Sequence, residues 1–272
     1  MDKSSSLSDR VRIEIAEGVA EVTLNRPDKL NALDPAMFGA IIAAGERLSR
    51  TATLRAIVLA GAGKGFCAGL DKVSFEAMAD GGAGQKFGNI VARTHGIANA
   101  FQQAAYVWRT LPVPVIAAIH GVALGGGFQI ALGADIRYVA PDARLAIMEI
   151  KWGIVPDMGG IALMRELARS DVIRELAMTG RIFSGAEALA YGFATSLHAD
   201  PLAAARSTAK EIATRNPEAV RAIKRLMNFA SDADAAAILL AESKEQAALI
   251  GSRNQIEAVR AGMEGRPGRF AG

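Results

Sequence analysis

The chain has 272 residues, 51% of them apolar, enough to bury one substantial core. Lys and Arg total 31 against 28 for Asp and Glu, and there is neither a basic run nor an interleaved aromatic stripe; a nucleic-acid partner is therefore not expected, while an anionic small ligand is permitted. The single cysteine, Cys67, excludes an intrachain disulfide framework and a multi-cysteine metal site, and it fits a reducing, cytoplasmic setting with no bound metal.

Met1 to Arg10 is polar and Ser-rich, without the apolar core of a signal peptide. Ala20, Val22 and Leu24 alternate with Glu21 and Thr23, the pattern of a half-buried strand. Asp34 and Pro35 then open a helix whose apolar face carries Met37, Phe38, Ile41, Ile42 and Leu48. Ala56 to Ala60 and Val115 to Ile119 are short continuous apolar runs, typical of strands covered on both sides, and Ile136 to Val139 and Leu145 to Ile147 predict two more. Val113 to Ala134 is apolar over about the length of a bilayer span. It contains Pro114, His120, Gln129 and three consecutive glycines, so a strand, a turn and a short helix explain it better, and no membrane partner is expected. Met78 to Gly88 is the most loop-like internal segment, a flap or a solvated linker. Strands alternating with helices give an α/β class. Near residue 200 the texture changes. Asp200-Pro201 and Asn216-Pro217 start helices, and the chain stays Ala-rich without strand signals to Gly262. This divides it into a core over 1–199 and a helical subdomain over 200–272.

Two glycine-containing turns follow strands. Gly61 to Asp71, GAGKGFCAGLD, fits neither a dinucleotide fingerprint nor a phosphate P-loop, and Asp71 caps the helix after it. Such a turn leaves a backbone N–H, that of Leu70, free to point into a cleft. In His120 to Gln129, HGVALGGGFQ, three glycines let the backbone approach a ligand closely and open a helix whose free amides favour negative charge. Two amides from separate turns would make an oxyanion hole. A purely structural turn is the alternative.

Together the segments VTLNRPDKLNAL (22–33), AIVLAGAGKGFCAGLD (56–71), PVIAAIHGVALGGGFQIALGAD (114–135), EIKWGIVPDMGG (149–160) and EGRPGRF (264–270) resemble the enoyl-CoA hydratase/isomerase, or crotonase, superfamily. The resemblance implies a spiral of ββα units followed by a C-terminal helical trimerisation region, hence a homotrimer or a hexamer built as a dimer of trimers. It implies an acyl-CoA substrate, with coenzyme A as part of that substrate and no separate cofactor. The Leu70 and Gly126 amides would form the oxyanion hole, and Ala68 would line the CoA groove. Lys29, Arg26 and Arg269 would meet CoA phosphates or serve as surface charges.

The acid/base positions depart from the family's hydratases, which hold water between two glutamates. Those positions are Gln129 and Glu149 here. An amide takes up no proton near neutral pH, so Gln129 would position water or satisfy a buried backbone group. Glu149 is then the one proton carrier. Asp157 stands where hydratases typically have glycine. Glu149 with Asp157 resembles dienoyl-CoA isomerases, although those also carry an acid at the Gln129 position. Asp157 is thus either catalytic or the cap of a helix starting at Met158. Double-bond isomerisation is the expected reaction, with enoyl-CoA hydration or a catalytically weak CoA-binding role as alternatives.

Overall fold

The computed structural model describes residues 9–79 and 89–272. Most of the expected flap segment therefore lies outside the described residues. The described strands are, in chain order, β1 (Val11–Ala16), β2 (Val19–Leu24), β3 (Ala56–Gly61), β4 (Val115–Ile119), β5 (Val122–Leu124), β6 (Ile136–Val139), β7 (Arg144–Ala146), β8 (Phe183–Ser184) and β9 (Ser196–Leu197). One sheet runs β1-β2-β3-β4-β6-β9, with β1 antiparallel to β2 and the remaining pairs parallel. A second sheet runs β5-β7-β8.

The apolar runs read from the sequence are the middle of the first sheet, and their side chains alternate between two covered faces. Ile57, Leu59, Val115, Ala117 and Ile119 enter the main core with Met37, Phe38, Ile41 and Leu48 of α1 (Pro35–Ser49). Asp34 caps α1 as expected, accepting from the Met37 amide at 2.7 Å. Asp71 likewise accepts from the Ser74 amide at the start of α2 (Lys72–Ala79). The sequence reading passed over α3 (Ala100–Thr110), which opens on a capping box between Asn99 and Gln102 and buries Val107 and Trp108 against the same face. Next come α4 (Gly126–Leu132), the short α5 (Gly160–Met164), α6 (Ser170–Thr179) and α7 (Gly185–Tyr191).

The opposite face of the sheet presents Ala56, Val58, Ala60, Ile116 and Ala118, which pack against Ala205 and Ala209 of α8 (Pro201–Ala213). Helix α8 thus forms a second layer on this face of the sheet. Small side chains on both surfaces let helix and sheet approach closely. The next helix, α9 (Pro217–Ala230), is tied in as well. Lys224 is buried, and its ammonium donates to the Trp108 and Val113 carbonyls and to Asp135 at 2.7 Å. Asp135 in turn accepts from the Val115 amide at the start of β4. Of the described helices, α10 (Ala235–Leu249) and α11 (Arg253–Glu264) remain mostly clear of the core. No described helix is long and apolar enough to cross a membrane.

Lys224→Ala removes one member of this buried ion pair and leaves two carbonyls without their donor. We expect a loss of about 3–5 kcal/mol in unfolding free energy by denaturant titration. A loss under about 1 kcal/mol, the surface-pair range, would show that α9 is held by its apolar contacts instead.

Candidate active site

The two glycine turns lie against each other because β5 bridges them. Cys67 donates its amide to the Val122 carbonyl and accepts from the Leu124 amide, each at 3.0 Å. On its other side the first turn pairs with residues 30–33: Ala68 donates to Leu30, Leu33 to Gly69, and Asp71 to Leu33. The Leu70 amide falls between these bonds and has no acceptor among the described residues. The Gly126 amide, first in α4, has none either. The contact requires glycine. Gly69 has φ +82°, and a Cβ there would lie 2.5 Å from the Leu124 carbonyl oxygen and 3.5 Å from the Gly126 nitrogen.

Asn31 fixes the first turn, a role the sequence reading missed. It is fully buried in a left-handed conformation, φ +56°. Its Nδ2 donates to the carbonyls of Ala62, Gly65 and Phe66, while Oδ1 accepts from the Arg26 amide. Leu30 and Asn31 are both left-handed, a geometry that residue types alone do not announce. Arg26 braces the same turn and does not line the pocket. Its guanidinium donates to the Ala32 carbonyl and to Asp71, with Asp34 also in ion-pair range. Lys29 and Arg269 are exposed and do not line the pocket.

The turns border a cavity of 720 Å³ that gathers Ala68, Leu70, Gly126, Gln129, Glu149 and Asp157. Glu149 opens a 3-10 turn, Glu149–Trp152, and is only 7% exposed. Its Oε1 accepts from Gln129 Nε2 at 2.6 Å, while its buried Oε2 has no partner. Burial raises its pKa above the ordinary 4.5, and the nearby Asp157 carboxylate adds to the rise against the Gln129 hydrogen bond. Gln129 is 1% exposed, and its carbonyl oxygen accepts from the Met158 and Gly160 amides, each at 2.9 Å.

Asp157 is an exposed residue of the lining, yet its surroundings push its pKa up by desolvation. It caps nothing. The helix begins at Gly160, its N-cap is Gly159, and no side chain caps it. The helix-cap alternative is thereby overturned.

The remaining wall is apolar and includes residues from distant segments: Phe38, Phe75, Ile90, Phe101, Met148 and Trp152. Trp152, 53% exposed, stacks on Phe75 with ring centroids 3.9 Å apart, and Phe38 meets Phe101 edge-on at 5.1 Å. Cys67 is buried, with its thiol pushed up to about 12 by desolvation, so it is not a nucleophile. The described residues contain no cluster of His, Cys, Asp and Glu suited to a metal.

The enoyl-CoA hydratase/isomerase family profile matches residues 14–272. The human mitochondrial protein named Delta(3,5)-Delta(2,4)-dienoyl-CoA isomerase is 31% identical over 252 residues, covering 91% of this chain and 77% of its own. The mitochondrial enoyl-CoA hydratase domain-containing protein 2 of Bos taurus is 33% identical over 263 residues, 94% of this chain and 85% of its own. Among solved structures, a putative enoyl-CoA hydratase from Streptomyces coelicolor A3(2) superposes with a TM-score of 0.86 at 33% identity, covering 100% of this chain and 98% of that one.

The buried carboxyl makes stability depend on pH. Because folding raises the Glu149 pKa, the native state holds its proton to higher pH than the unfolded chain does, and stability falls as pH climbs from 4.5 through the raised native value. Glu149→Gln removes this ionisation. We expect it to melt about 2–4 °C above the unaltered protein at neutral pH, with the difference closing at 4.5 and below. Calorimetry across pH checks this, and a variant that melts earlier at neutral pH contradicts it.

Proposed function

The chain belongs to the enoyl-CoA hydratase/isomerase family, and from that membership we propose that it moves a carbon–carbon double bond along the acyl chain of an enoyl-CoA thioester. The observation that carries the reading is Glu149, which lines a cavity bordered by two unengaged amides and keeps one carboxylate oxygen, Oε2, without a partner. A base there can take a proton from the carbon beside the thioester. The electron pair then moves to the thioester oxygen, where the Leu70 and Gly126 N–H groups meet the charge as it forms. Asp157, its pKa raised, supplies a proton at the far end of the conjugated system, and the double bond shifts without water. Glu149 is left protonated and Asp157 ionised, and the two reset by proton exchange. The dienoyl-CoA isomerase named above supports this choice of reaction.

Hydration is the second reading, supported by the hydratase relatives. Gln129 counts against it. The carbonyl oxygen that would accept a hydrogen bond from an attacking water already accepts two amide hydrogens, and an amide takes up no proton.

The acyl group in this reading is uncharged and apolar. Lys and Arg are absent from the described lining, and two carboxylates would repel a third. The CoA half leaves past Ala68 toward exposed Lys29, which adjoins the Leu30 carbonyl paired to Ala68. No further cofactor enters the scheme. A reducing, cytoplasmic setting accompanies it, compatible with the lone Cys67, which has no cysteine to pair with in the chain.

Assembly completes the proposal. Ile223 and Met227 on α9, Leu239 and Leu240 on α10, and Met263 on α11 are exposed apolar residues, which supports burial against other copies in a trimer or a dimer of trimers.

Incubating 3-enoyl- and 3,5-dienoyl-CoA with the protein in deuterated water, followed by NMR, should show double-bond migration faster than water addition. Glu149→Gln should lower turnover by about 10²–10⁴-fold while acyl-CoA still binds, and Asp157→Asn should slow the dienoyl substrate most. Faster hydration than isomerisation reverses the order of the two readings, and full activity in Glu149→Gln removes the mechanism. Light scattering should give three or six times the chain mass; a monomer at working concentrations refutes the assembly.

A further inference from the structure

We infer that Gln129 is the positioning residue of this site, an amide strut that decides which oxygen of Glu149 reacts and ties that carboxylate to the turn bearing Asp157. The inference deepens the reading of Glu149 as the proton carrier and rests on it.

The orientation of the amide follows from its partners. Met158 and Gly160 present N–H donors, so the oxygen of Gln129 must face them, and the nitrogen must face Glu149. The nitrogen therefore donates to Glu149 Oε1 at 2.6 Å. That bond occupies one carboxylate oxygen and stops the group from rotating, which leaves Oε2 as the basic atom. The same side chain grips the backbone just after Asp157, at residues 158 and 160. One buried amide thus sets the spacing of the two acid/base groups.

The surroundings are cut to fit it. Gly160 lacks a side chain where a Cβ would lie 2.5 Å from Gln129 Oε1, and Gly125 lacks one where a Cβ would lie 3.2 Å from Glu149 Oε1. A glutamate at 129 would keep both accepted bonds but would set a second carboxylate oxygen against Glu149 Oε1. Two carboxylates at that range share a proton and titrate as a pair. Glutamine supplies the hydrogen bond with no proton to lose, so Glu149 ionises without a coupled partner at 129.

The test uses Gln129→Glu and Gln129→Met with two independent readouts. The first is the titration of the Glu149 carboxyl in the ligand-free protein, followed by 13C NMR. It should shift to higher pH in Gln129→Met, where a donor to the charged form is lost, and split into two coupled steps in Gln129→Glu. The second is isomerase kinetics. Gln129→Met should lose about 100-fold in kcat with KM changed less than about 3-fold, and Gln129→Glu should gain an ionisation in its pH–rate profile that the unaltered protein lacks. If Gln129→Met fails to fold because two buried amides lose their acceptor, Gln129→Glu retains that acceptor and decides the question. Wild-type titration of Glu149 in both variants overturns the inference, as does wild-type kcat with an unchanged pH profile. An unaltered protein that does not isomerise at all would sink the functional reading instead, and the titration would still judge Gln129.

Discussion

Glu149 is a carboxylate in an apolar cavity, and the site depends on the single side-chain hydrogen bond that holds it there, from Gln129. Burying such a group is costly, which is why its pKa rises, and its second oxygen has no partner. A more generous set of donors would have stabilised the charge and weakened the base. The amide donates one hydrogen bond to the carboxylate, and its own carbonyl is anchored to the Met158–Gly160 segment. Positioning and basicity are thus met by one residue that never changes protonation state.

The amide donors on the opposite side follow a different logic. Their placement comes from backbone pairing: β5 joins the Cys67 segment, residues 30–33 join the other edge of the same turn, and Asn31 pins the loop between them with a single amide nitrogen shared by three carbonyls. Side chains at Gly69 or Gly125 would disrupt this packing, by collision in the first case and by φ +51° and contact with Glu149 in the second. Backbone donors held this way need no reorganisation when charge develops on a bound oxygen.

The outer parts of the molecule serve the site less directly. Trp152 lies three residues after Glu149 on the same 3-10 turn and stacks on Phe75 of α2, so the element that carries the base also closes one wall of the cavity. Behind the sheet, α8 and the Lys224 anchor of α9 keep the strands that carry the turns in register, while the later helices turn apolar residues outward.

Local patterns settled a good deal. The alternation at Ala20–Leu24, the apolar runs at 56–60 and 115–119 and the Asp-Pro helix starts all became the elements they predicted, because period and capping act over a few residues. Of the residues the resemblance named, Ala68, Leu70, Gly126, Gln129, Glu149 and Asp157 meet in one cavity, while Arg26, Lys29 and Arg269 lie outside its lining. Four matters waited for tertiary structure. Helix α8 looks in sequence like the start of a separate unit, and only its contact with Ala56, Val58 and Ala60 makes it core. Arg26 looks like a free cation until Asp71, 45 residues on, is seen to accept from it. Asp157 sits where a cap would, but the helix begins at Gly160. Gln129 looks like a lost carboxylate, and its task is set by partners 20, 29 and 31 residues away. Patterns in the chain report which face is apolar and where a turn falls; which polar atoms meet across the core depends on how distant segments pack, and one sequence carries no local sign of that.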